Sequence, residues 1–304
     1  MNTIRPIGKV FRSVPTLEGA GVRLKRAFGY REVPSFDPFL LLDDFHSKNP
    51  ADYLAGFPWH PHRGIETITY VLHGSVDHRD SMGNAGRIGE GDVQWMTAGS
   101  GIIHQEMPGG DTDGLLWGFQ LWANLPASHK MMEPRYRGVM KEEIPEVRPG
   151  KGIRVKIIAG RVNGTIGPVT GIVTRPEYLD VTLEPGATFI HQVEKTRNAF
   201  AYLMEGGGYF DQHRDPFAYP VAGSGYFDMN REPLLLPESV VLFGPGDQIQ
   251  VKAGEEGVRF LFASGVPVGE PVAWYGPIVM NTEDELRTAF NELREGTFIR
   301  TRGL

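Results

Sequence analysis

The segment GDVQWMTAG (91–99) returns as GDQIQVKAG (246–254), with the GD and AG pairs at identical spacing. Each copy has another glycine two residues upstream, Gly89 and Gly244. Earlier in each half, YVLHG (70–74) and YLMEG (202–206) share the pattern Y-x-x-x-G. Self-similarity on this scale is the mark of a duplicated structural unit. The chain must therefore build two equivalent halves. Between them, MKEEIPEVRPGKG (140–152) mixes charges with Pro145, Pro149 and Gly150, which suits a linker. The expected domains are residues 1–145 and 146–304.

Both halves read as strands. ETITYVLHG (66–74), GLLWGFQLWANL (114–125), IRVKIIAG (153–160), YLDVTLEPG (178–186) and VRFLFASG (258–265) are rich in β-branched and aromatic residues. Each is bounded by Gly, Pro or Asn. The 39 glycines and 23 prolines are scattered through the chain, as many short strands joined by turns require. Helix is expected only at about 282–294. There Thr282 and Glu285 have capping-box spacing, and Leu286, Ala289, Phe290 and Leu293 share a face. The fold class is all-β with a short C-terminal helix.

A net charge of −6 with no basic block argues against direct nucleic-acid binding. No run reaches roughly 18 apolar residues, and the N-terminus lacks a signal-peptide core. The reading is a cytoplasmic protein with no membrane contact. With no cysteine, disulfides and thiolate chemistry are excluded. Any metal must be held by His and carboxylate.

GFPWHPHRGIE (56–66) supplies such ligands, placing His60 and His62 at i and i+2. On a strand these side chains share a face, about 6.6 Å apart along it. A second pair of the same spacing, His104 and Glu106, lies in GSGIIHQEMP. Three imidazoles and one carboxylate suit one divalent ion: Fe, Mn, Ni, Cu, Co or Zn. The repeat acts as a control. Offsets of +12 and +14 from Asp92 reach His104 and Glu106, whereas from Asp247 they reach Arg259 and Leu261. His191 has Val193 at its i+2 position. One metal is thus expected, in the N-terminal domain. His46, His73, His78, His129, His191 and His213 are read as surface or hydrogen-bonding residues.

Glu66 shares the face of His62 if strand alternation runs through. It is then a fifth ligand, a partner orienting an imidazole, or a strand residue paired with Arg63. Arg63 and Trp59 flank the histidines and are placed near the site. Gln120, apolar on both sides in WGFQLW, is expected to face inward toward ligand or water. Trp95, Met96, Trp117, Phe119 and Trp122 line either a pocket or the core.

HPHRGIETITYVLHG, VDHRDSMGNAGRIGEGDVQWMTAGSGIIHQEM and GFQLWANLP resemble the pirin family of the cupin superfamily. DPFLLLDDF (37–45), EPRYRGV (133–139) and YGPIVMNTEDEL (275–286) extend the resemblance over nearly the whole chain. It implies a bicupin: two jelly-roll β-barrels (double-stranded β-helices), with metal only in the first. It also implies ligands at His60, His62, His104 and Glu106, with Fe(II) as the usual ion and Glu66 not a ligand. The activity implied is quercetin 2,3-dioxygenase, with a flavonol and O₂ as substrates. In that chemistry Glu106 either remains a ligand or loosens to take the hydroxyl proton as the catalytic base. The alternative implied is a regulatory protein acting through a protein partner, as a transcription co-regulator or enzyme modulator. A monomer is expected. Sugar isomerisation, known in other metal cupins, would need polyol- or phosphate-binding groups that the sequence does not offer.

Overall fold

The computed structural model describes residues 2–33, 35–210 and 234–300. The chain forms two cupin domains, almost all β, with one short C-terminal helix. Two compact units contain them: Met1–Ser13 with Glu142–Pro267, and Val14–Lys141 with Val268–Leu304. Compared with the expected division at 145/146, the residues up to Ser13 and from Val268 onward lie in the opposite units. Strand pairing and side-chain packing explain both exchanges. Ile7–Arg12 pairs antiparallel with Ser239–Phe243, at the edge of the second cupin sheet. The C-terminal helix packs on the hairpin Ala273–Tyr275/Ile278–Met280, which belongs with the first cupin.

In the unit holding His60, a seven-stranded antiparallel sheet runs in the order Arg135–Val139, Val93–Thr97, Ile65–His73, Leu116–Asn124, Phe39–Ser47, Val22–Phe28, Val14–Glu18. A four-stranded sheet has the order Phe57–His62, Ile102–Gly109, Ser75–Asp80, Ala85–Ile88. Thr69 and Gln120 of the larger sheet hydrogen-bond to Glu106 of the smaller, so the sheets lie face to face. The helix Glu283–Glu295 has the expected cap. Thr282 Oγ1 accepts from the Glu285 N–H, and Glu285 Oε2 accepts from the Thr282 N–H. Leu286 and Ala289 are buried against Ile278, Met280 and Phe298.

The other unit has an eight-stranded sheet around the long strand Gln248–Gly265. Phe189, Phe243, Phe260 and Phe262 are fully or almost fully buried in its core. Each such ring contributes roughly 1.5–3 kcal/mol by leaving water. Arg259 lies on the face opposite Phe260 and pairs with Asp180 through two bonds of 3.0 and 2.8 Å. His191 pairs with Glu177 at 3.2 Å. His213 lies outside the described residues. Asp92 and Asp247, equivalent in the repeat, each accept a backbone N–H from a distant segment, Asp92 that of Lys141 and Asp247 that of Thr3. Among the described residues, no helix is long and apolar enough to cross a membrane.

Candidate metal centre

Pro58 and Pro61 lie on Phe57–His62, the edge strand of the smaller sheet. Proline has no N–H for a ladder, and an edge tolerates this while the fixed φ stiffens the strand. Its one neighbour is Ile102–Gly109, with His104 opposite His60 and Ile102 opposite His62. Strands forty residues apart in sequence thus bring the three imidazoles together. Among the described residues, His60, His62 and His104 are the only group of three or more whose metal-ligating atoms all lie within 4.8 Å of one another.

The donor chemistry fits a cation. His60 Nδ1 lies 2.8 Å from the Pro58 carbonyl oxygen, and His62 Nδ1 lies 3.0 Å from that of Pro277. A carbonyl only accepts, so each Nδ1 carries the proton and each Nε2 presents a lone pair. Those two Nε2 atoms are 3.1 Å apart. Two lone pairs that close need a positive centre between them. At metal–nitrogen bonds of about 2.1 Å, this separation corresponds to neighbouring ligands about 90–100° apart. His104 is fully buried with neither ring nitrogen hydrogen-bonded. Such an orphaned group is costly unless a ligand completes it. Burial, reinforced by the neighbouring imidazoles, holds His62 and His104 well below the ordinary histidine range. His60 is lowered by burial too. All three are therefore neutral at pH 7, as metal ligands must be.

Glu106 lies outside this tight group. Thr69 Oγ1 donates to its Oε1 at 2.9 Å, and Gln120 Nε2 donates to its Oε2 at 3.0 Å. Burial pushes its carboxyl up to about 7, although both donors pull the other way. Gln120 thus faces inward. It stands in a cross-strand row in which Arg26 is opposite Asp43, Asp43 opposite Gln120, and Gln120 opposite Thr69. A cavity of about 780 Å³ opens here, with Phe45, Trp122, His60, His62, Glu106 and Gln120 among its walls.

Three expected neighbours lie elsewhere. Arg63 is buried but points away from the cavity. Its Nε donates to the Ser100 carbonyl and Nη2 to the Phe298 carbonyl, it pairs with Glu292 at 2.7 Å, and its guanidinium sits 4.2 Å over the Phe298 ring. Trp59 is 53% exposed and does not line the cavity. Glu66 accepts from Thr97 Oγ1 at 2.7 Å and does not pair with Arg63. It lies on the face of Ile65–His73 opposite Thr69. The alternation counted from His62 fails because Gly64 interrupts the strand with φ +79. Only glycine fits there, since a Cβ would run into the Val279 carbonyl oxygen. Of the aromatic candidates, Trp122 lines the cavity and Met96 fills a core cluster. Trp117 stacks between His46 and His73.

Sequence reading missed His78, the Pro277 carbonyl and Lys130. His78 has a signal that went unused, because His78 and Asp80 have the same i, i+2 spacing as the ligands. Its ring is buried 5.4 Å from that of His104, with Nε2 on Asp80 at 3.2 Å. Pro277 and Lys130 had none. Lys130 Nζ donates to the carbonyls of Gly64 and Val279 and to Asn124 Oδ1. This ties the turn after His62 to the hairpin that carries Pro277.

The buried histidines set a pH dependence. Lowered folded-state values mean that the unfolded chain binds more protons below pH 6.5. Stability is then full above 6.5 and falls as pH drops below it. Glu106, Glu66 and Asp43, raised by burial, pull in the opposite sense, Glu106 between about 4.5 and 7 and Asp43 between about 3.8 and 6. His60, His62, His78 and His104 are all lowered and outnumber them. Metal-stripped protein should therefore melt at lower temperature at pH 5.5 than at pH 7.5, with a shallower slope in His62→Asn. Calorimetry across that range checks this, and a flat profile refutes it.

The Pirin family profile matches residues 21–123, and that of the Pirin C-terminal cupin domain matches residues 210–299. The pirin-like protein of Caulobacter vibrioides is 43% identical over 297 residues, covering 97% of this chain and 99% of its own. Human pirin is 38% identical over 282 residues, covering 91% and 88%. The crystal structure of quercetin 2,3-dioxygenase from Acinetobacter baumannii superposes with a TM-score of 0.83 at 29% identity, covering 97% of this chain and 98% of that one. Full-length similarity of this degree, together with the cupin folds, makes the chain a member of the pirin family.

Proposed function

We propose that this pirin is a metal-dependent quercetin 2,3-dioxygenase, using iron(II) to cleave a flavonol with O₂. The observation that carries the reading is the group of neutral imidazoles at a cavity of about 780 Å³. That volume falls within the roughly 300–1,000 Å³ common for small-molecule sites. The similarity to the Acinetobacter quercetin 2,3-dioxygenase supports it.

His60, His62 and His104 would hold the ion, with Glu106 as a fourth donor or as base. When bound, the ion supplies positive charge that favours the ionised 3-hydroxyl of a flavonol, and redox chemistry toward O₂. The protein's part is positioning and proton movement. Thr69 and Gln120 fix the Glu106 carboxylate, leaving lone pairs to accept the 3-hydroxyl proton. In the metal-free site burial raises this carboxyl to about 7, which favours proton uptake there near neutral pH. Leu24, Leu41, Phe45 and Trp122 give the flat rings an apolar wall and displace water. The net reaction adds O₂, opens the central ring and releases carbon monoxide.

Glu106→Gln should keep its fold and lose turnover by about 10²–10⁴-fold. Oxygen uptake and carbon monoxide release with quercetin would measure this. Full cleavage by metal-free protein would overturn the assignment. A kcat/KM far below about 10⁴ M⁻¹s⁻¹ would shift it to the regulatory reading, with a protein partner.

A further inference from the structure

Beyond the metal centre, the charged residues lining the cavity are Glu18, Arg26 and Asp43, with the phenols of Tyr30 and Tyr275 also in its wall. Arg26 is the only lysine or arginine among its lining residues. Its Nε and Nη2 each donate to Asp43 at 2.8 Å, and Nη2 also reaches Glu18 Oε1 at 2.9 Å. One guanidinium thus faces two carboxylates, and the patch carries net negative charge. Exposure assigns the roles. Asp43 is nearly buried and anchors Arg26, whereas Glu18 is 41% exposed and is the accessible end. Glu18 is immobilised by a cation yet keeps unused lone pairs. A fixed carboxylate accepts strong hydrogen bonds from hydroxyl groups and repels anions.

The cross-strand row supplies a ruler. Arg26 is two strands from Gln120, which touches Glu106. Strands lie about 4.8 Å apart, so the Arg26 backbone is on the order of 10 Å from that of Gln120, with Asp43 between them. This is comparable to the span of a flavonol from its 3-hydroxyl to its outer-ring hydroxyls.

We infer that Glu18, held by Arg26 and Asp43, is the specificity determinant of the cavity. It accepts hydrogen bonds from hydroxyls at the end of the ligand remote from the metal centre and turns away ligands that are anionic there. This rests on the reading that the cavity takes a flavonol.

The test is equilibrium binding to metal-loaded protein without oxygen, followed by tryptophan fluorescence, since Trp122 and Trp274 line the cavity. Three probes are compared: quercetin, galangin (which lacks outer-ring hydroxyls) and outer-ring-sulfonated quercetin. Quercetin should bind about tenfold more tightly than galangin, the scale of one charge-assisted hydrogen bond. Glu18→Ala should erase that ratio while leaving galangin unchanged. The sulfonated compound should bind at least about tenfold more weakly than quercetin, and Glu18→Gln should recover part of the loss. A quercetin-to-galangin ratio that survives Glu18→Ala overturns the inference. Equal binding of both flavonols by the unaltered protein overturns it alone. If neither flavonol binds, the flavonol reading falls and this inference falls with it.

Discussion

His104→Leu is expected to remove metal binding without weakening the metal-free fold. His104 is fully buried, and both ring nitrogens lack a hydrogen-bond partner. An apolar side chain of similar size relieves that unpaired polar group, so the metal-stripped variant should be at least as stable as its parent. With metal present the order reverses. An ion at 100 times its Kd stabilises the parent by about 2.7 kcal/mol, and the variant should gain almost nothing. Metal content by elemental analysis should fall to a trace, and quercetin turnover should vanish with it. Thermal melts with and without added iron(II) separate loss of a ligand from loss of fold. Equal metal-induced shifts in both proteins would remove His104 from the site.

Arg63→Met is expected to cost about 3 kcal/mol of stability. Arg63 is 1% exposed and joins the chain just after His62 to Glu292 of the C-terminal helix and to Phe298 beyond it. Removing it strands the carbonyls of Ser100 and Phe298 and takes one cation from Glu292. Breaking a buried pair from one side costs roughly 3–5 kcal/mol. Arg300 also pairs with Glu292, at 2.9 Å, and keeps the loss at the lower end. The urea midpoint measures it. Metal affinity should weaken as well, because the C-terminal hairpin supplies the Pro277 carbonyl that holds the His62 tautomer. Losses of about 10–100-fold are usual when such a partner is disturbed. Unchanged stability would mean that Arg63 contributes nothing to this closure.

The parts legible in the sequence rest on local rules. Alternation put His60 with His62, and the apolar neighbours of Gln120 in WGFQLW pointed it inward. The capping box set the start of the helix at Thr282, and the repeated GD turns disclosed the duplication. The expectations for Glu66 and Arg63 fail for two distinct local reasons. Glu66 was counted on the face of His62 through Gly64, but a positive φ there resets the alternation. Arg63 was placed by adjacency alone. On a strand, adjacent residues point to opposite faces, and Arg63 accordingly leaves the site.

Taken alone, the sequence determined the all-β class, the duplication and the three histidines, because short-range periodicity and turn chemistry encode them. Tertiary structure alone decided which strands bring those histidines together and which carbonyls hold their tautomers. It also placed Glu18, Arg26 and Asp43 together in the cavity wall. Pro277 meets His62 across 215 residues of chain, and no local pattern records a contact at that separation. Only closure of the sheets, driven by burial of apolar side chains, brings such groups within hydrogen-bonding distance.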